Sequence, residues 1–372
     1  MKKIIFNVCL ALLVLSCSTS KNDGSKGDGF DRTAMLTHWA DNIIIPSYSN
    51  YQEKVQILAA NTQLFVNAPT EEHLQLVRES WLEGYKAYQY ISIYNIGKAE
   101  EVYIKECTNI YPTDVSGIEA NIQSGSYDLT AISQFTKQGF PALDYLININ
   151  GLASTDAEII AFYTTNSKAA NYKGYLTALV NRLKTNADLI VADWNGGYRK
   201  VFIENNGNSV SSSVNRVTNN FVKNLEKDIR SGKIGIPSGV FSGGVKFPEK
   251  VEAFYKNDVS KELLNLSIKA SEDFFNGKNF NNNTTGPSLK SYLDFVNAIR
   301  DNKYLSDIII AQFEQVHLIN EGLDNSFSNQ INSDNVKMLS AFDTLQQLVI
   351  YIKLDMMQAL NITLDYVDGD GD

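Results

Sequence analysis

Glu314, His317 and Glu321 stand at i, i+3 and i+7, a spacing that puts two carboxylates and an imidazole on one face of a helix. Glu-x-x-His is half of the di-iron site of a helical bundle, which also needs a second copy and two partner glutamates. The other histidines, His38 and His73, supply no second copy. The trio therefore reads in two ways. It is a solvated or interfacial helix face, or a mononuclear metal site for iron or another divalent ion that borrows a carboxylate from the other half of the chain. Asp114 and Glu119 form a second candidate pair, following the helix-breaking Pro112. Two carboxylates there would bind a cation or the hydroxyls of a sugar. The competing role for Asp114 is to cap the helix that follows.

The familiar catalytic arrangements are missing from the sequence. It has no His-Glu-x-x-His zinc-protease motif, no Gly-x-Ser-x-Gly elbow and no Gly-rich loop ending in Gly-Lys-Ser/Thr. The formal net charge of −9 argues against nucleic acid, because gripping phosphates needs a surplus of Lys and Arg.

Helical periodicity dominates the elements that must position these residues. Tyr172, Tyr175, Leu176, Leu179, Leu183, Ala187, Ile190 and Trp194 recur at steps of three and four. A second such stripe runs from Val336 through Phe342 and Val349 to Leu360. A third covers 74–94, with Thr70 placed to cap it. Further helices are expected at 33–68, 129–149, 209–232, 260–277 and 288–325. No stretch alternates with period two, so the expected class is all-α, helical bundles with no significant sheet. Gly232 to Pro248, with five glycines and two prolines, is expected to be irregular, and Asn276 to Pro287 to be a surface loop. The breaks suggest two helical-bundle halves, 31–205 and 206–372.

The start of the chain speaks to location. Lys2 and Lys3 precede an apolar run to Leu15, too short to span a bilayer as a helix. Val14-Leu15-Ser16-Cys17 resembles a bacterial lipobox, so 1–16 reads as a signal peptide and Cys17 as the lipidated residue. The polar stretch to residue 30 would be a flexible tether. The membrane would then be a partner through lipid on Cys17, at the cell envelope and on the outer membrane. Cys107 is left as the single cysteine of the mature fold, so no disulfide is expected.

Several ordered segments resemble the imelysin-like family. They are Asn42 to Tyr48 with its Pro46-Ser47-Tyr48, Trp81, Tyr111-Pro112-Thr113-Asp114 followed by Ile118-Glu119, Gly139 to Leu146, Lys233 to Gly239, and the acidic end Asp368 to Asp372. The resemblance implies two helical-bundle domains, an envelope location, and ligand or metal binding linked to iron uptake, with envelope uptake components as partners. It also implies a metallopeptidase activity, from which the family takes its name. Where the family carries Gly-x-His-x-x-Glu, this chain has Gly139, Pro141 and Asp144. Proline has no lone pair for a metal, so a site built on that histidine is lost here. Gly139, Pro141 and Asp144 would then form a helix start: a turn glycine, a first-turn proline, and an acid near the positive dipole end. Gly139, Asp144, Asp114 and Glu119 remain the candidate ligand-binding residues. The expected function is a non-catalytic binding lipoprotein, with the metallopeptidase as the competing reading.

Overall fold

The computed structural model describes residues 28–366, and from Asp31 onward the chain forms one compact unit. The leader, Cys17 and the terminal Asp368 to Asp372 lie outside the described residues.

Helix α1 spans 32–67. Asp31 caps it by accepting the N–H of Ala34, and a wide turn at Trp39–Ile44 interrupts its regular winding. Helix α2 is Glu71–Ile91, where the Thr70 hydroxyl accepts the N–H of His73 and Glu71 and Glu72 face the positive end of the dipole. Among the shorter helices that follow are α3 at Val115–Ser124 and α4 at Gly139–Ile147, before the long α5 at Ala169–Asp193. Helix α1 packs along both α2 and α5. The seam between them is aromatic and aliphatic: Tyr51 and Leu58, Trp81 and Tyr85, Tyr175 and Leu179 are all fully buried. Each such side chain contributes roughly 1.5–3 kcal/mol of transfer free energy. Trp81 donates its indole N–H to the carbonyl of Phe140 at 3.0 Å, and Tyr85 stacks on the Phe140 ring at 4.7 Å, so α4 is pinned to α2.

Helix α6 runs over 213–238, α7 is Ser260–Asn276, α8 is Leu305–Glu321, and α9 runs over 335–359. Helix α9 packs on α6 and α8, and α7 packs on α2 as well as on α6 and α8. Among the described residues the only paired strands are Ile299–Arg300 and Lys303–Tyr304, a two-residue hairpin. The all-α class expected from periodicity is therefore what the chain adopts. No helix of the described residues is long and apolar enough to cross a membrane.

Two of the expected helices and one expected irregular stretch need correction. The stretch 129–149 is a 3-10 turn at Ile132–Lys137 and then α4, broken at Gly139, whose φ of +81° no regular helix uses. The stretch 288–325 divides into Leu289–Phe295, the hairpin, and α8, because Asn297, Asp301 and Asn302 take left-handed backbone. Conversely, Gly232 to Ser238 is helical, since a wide-turn segment at Asn224–Gly235 carries α6 through it; irregular chain begins only at Gly239.

One helix start offers a clean test of local energetics. Thr155 and Glu158 form a reciprocal capping box on the Asp156–Thr164 helix, with the hydroxyl accepting from Glu158 N and the carboxylate from Thr155 N. Thr155→Ala should lower stability by about 1 kcal/mol in urea unfolding, and Thr155→Ser by much less.

Candidate functional site

Phe221, Leu225 and Ile229 mark the buried face of α6 at four-residue steps, and the next step on that face is Lys233. An ammonium placed in a core stripe must find partners or neutralise. Lys233 finds Glu252 and Gln89: its Nζ forms an ion pair with Glu252 Oε2 and donates to Gln89 Oε1 at 3.0 Å. Glu252 Oε1 accepts from Asn109 Nδ2 at 2.8 Å, and Ser267 Oγ donates to Gln89 Oε1 at 2.7 Å. Lys233, Glu252, Gln89 and Ser267 are all buried. Burial pulls the Lys233 ammonium below its ordinary pKa, and the Glu252 charge opposes that shift. Four separate parts of the chain meet here: α2, the turn before Tyr111, α6 with the irregular segment after it, and α7.

Above this floor opens a cleft of about 390 Å³. Lys105, Lys223, Lys227, Lys233 and Lys250 line it, against the carboxylates of Glu106 and Asp228. Asn109, Asn220 and Asn224 add amides, and Tyr88 and Tyr111 add rings. Lys105 pairs with Asp228, which also accepts from Asn224 Nδ2 at 3.0 Å. Burial, with Glu252 and Asp228 nearby, pushes the Tyr111 phenol well above its ordinary pKa, so it stays neutral.

The residues singled out from the sequence lie elsewhere. Asp144 is buried and not at the helix start. Its carboxylate accepts the backbone N–H of Tyr255 and of Lys256, and the Asn148 amide, each at 2.9 Å. It is thereby a strut holding the 253–256 turn, a few residues beyond Glu252. Burial pushes its carboxyl up to about 7, against the pull of those three donors. Gly139 sits where a Cβ would stand 2.2 Å from the carbonyl oxygen of Thr108, so close packing and positive φ both require glycine. Pro141 does fall in the first turn of α4.

Asp114 caps α3, accepting the N–H of Gly117 at 2.9 Å and the Ser116 hydroxyl at 2.8 Å; these bonds hold its carboxyl below the usual range. Glu119 accepts the hydroxyls of Tyr145 at 2.9 Å and Tyr172 at 2.7 Å. Neither lines the polar cleft. On α8, Glu314 and Glu321 are exposed, while His317 Nε2 meets Glu272 Oε2 of α7 at 2.9 Å, a bond that lowers the Glu272 pKa. Among the described residues no group of three or more His, Cys, Asp or Glu is gathered as metal ligands.

Lys233 and Glu252 escaped the reading from sequence for different reasons. Lys233 carried a signal, a charge at the fourth step of the stripe Phe221, Leu225, Ile229. Glu252 lies in irregular chain between α6 and α7, where no periodicity tells a buried carboxylate from a solvated one.

The family model for imelysin, a peptidase family, matches residues 44–350. Two solved structures share the fold. An imelysin-like protein from Psychrobacter arcticum 273-4 superposes with a TM-score of 0.67 at 18% identity, over 90% of this chain and 97% of that one. A protein from Parabacteroides distasonis ATCC 8503, named as an iron-regulated protein A precursor, does so with a TM-score of 0.72 at 16% identity, over 89% and 95%. No curated protein matches the chain significantly. With a model spanning most of its length and helices that superpose on imelysin-like structures, the chain belongs to the imelysin family.

Proposed function

We propose that this imelysin-family protein is a non-catalytic ligand-binding protein serving iron uptake at the cell envelope, and that its ligand occupies the polar cleft above Lys233. One observation carries the reading. At the motif position where a metal site would be built, the chain has Pro141 and an Asp144 whose carboxylate is taken up by three donors. An open polar volume lined by lysines and amides lies instead between α2, α6 and the 105–112 segment. The iron connection is supported by the name of the Parabacteroides distasonis structure and by family resemblance. Tethering through lipid on Cys17 at the outer membrane is part of the same proposal and rests on the lipobox-like Val14 to Cys17.

The test is growth of the host strain under iron limitation. Deleting the gene should impair growth, and wild-type protein should restore it. Ile236→Trp should not, because Ile236 lies at the cleft and is 42% exposed, so a larger ring would obstruct the opening without entering the core. Growth indifferent to deletion would sink the proposal. Chelator-sensitive cleavage of peptides by the purified protein would instead favour the metallopeptidase.

A further inference from the structure

The lining of the cleft runs against the charge of the whole molecule. The chain carries −9, which disfavours anions over most of its surface. Yet the cleft gathers five lysines against two carboxylates, and the balance stays positive even when buried Glu252 is counted. Lys105 and Lys233 are spoken for by Asp228 and Glu252. Lys223 is exposed, and Lys250 holds its ammonium 3.8 Å above the Phe247 ring. Neither is in direct ion-pair contact with a described carboxylate, and although Asp365 also feels the Lys223 charge, both ammoniums remain open to a ligand.

The amides add a second constraint. Asn224 is buried, its Nδ2 donates to Asp228, and its Oδ1 has no donor among the described residues; the buried Oδ1 of Asn95, also in the lining, is in the same position. A buried acceptor without a donor is costly, and a bound hydroxyl would supply one. Lysines that satisfy negative oxygens, beside acceptors that want an O–H, describe one ligand class.

We propose that the cleft binds a small hydroxylated polycarboxylate, through Lys223 and Lys250 on its carboxylates and Asn224 on its hydroxyl. This rests on the reading of the cleft as the ligand site, and specifies the ligand's charge and donors. In the iron-uptake reading such an anion is also a chelator, so the cargo would arrive as an anionic ferric complex.

Isothermal titration of the purified protein against citrate, ferric citrate, tricarballylate and inorganic phosphate tests it. Citrate or ferric citrate should bind, more tightly than tricarballylate, which lacks the hydroxyl, and than phosphate. A preference between free citrate and its ferric complex identifies which form is carried. Lys223→Glu with Lys250→Glu should weaken binding at least about tenfold, and raised salt should weaken it in the wild type. Lys223→Gln with Lys250→Gln provides a milder pair should the reversal disturb folding, which a thermal melt reports. Absence of binding by citrate and ferric citrate, or an affinity unmoved by both lysine pairs, overturns the proposal. If neither anion binds while iron-limited growth still depends on an open cleft, the ligand class is wrong and the functional reading stands. Binding without a growth phenotype has the opposite meaning.

Discussion

Lys233→Met is expected to cost roughly 3–5 kcal/mol, because it leaves the buried Glu252 carboxylate without its principal counter-charge. The pair itself adds little net stability, since desolvating two ions offsets most of their attraction; the penalty comes from orphaning one of them. The double variant Lys233→Met with Glu252→Gln should therefore recover at least half of the loss. It keeps an oxygen to accept from Asn109 and from the Gln89 amide, while Gln89 Oε1 still accepts from Ser267. Urea unfolding of the wild type, both singles and the double closes the cycle. A double variant as unstable as the sum of the singles would show that the two charges are not coupled. The same variants report on the cleft: its floor should loosen in Lys233→Met, seen as faster amide exchange in the 105–112 segment.

Asp144→Ala should rank next, at about 3 kcal/mol, through three orphaned donors at about 1 kcal/mol each. Its local signature is loss of exchange protection at the amides of Tyr255 and Lys256. An unchanged pair of amides there would refute the strut. The same carboxyl sets a pH dependence. Its folded pKa is raised to about 7, above the usual unfolded value of about 3.9. Between these values the folded state holds a proton that the unfolded chain has released. The proton-linked part of the Asp144 contribution to stability is therefore fully present below about pH 4, is lost as pH rises to about 7, and is level above. Asp144→Asn should flatten that slope, and an identical slope in the variant would assign it to another group.

Both predictions concern residues whose roles are invisible at the level of motif. From sequence, Asp144 is a candidate ligand-binding residue or an acid at the positive end of a helix dipole. Its work is instead to hold a turn more than a hundred positions away, which no local pattern encodes. Asp114 is the contrary case: its capping role follows from a proline break and a helix start alone, and the Gly117 N–H bond is where that reasoning puts it.

The chain's own pattern of apolar residues determined the helices and the all-α class. A period of 3.6 is a local property, written within each stripe, and burial then rewards whichever face it makes apolar. Local backbone chemistry likewise dictated the Thr70 and Asp114 caps and the glycine at 139. What tertiary packing decided was which polar groups meet. Lys233 finds Glu252, Gln89 and, around the cleft, the lysines of three different segments only because α2, α6 and α7 close on one another. Electrostatic partnership depends on distance in space, and separation along the chain carries almost no information about it.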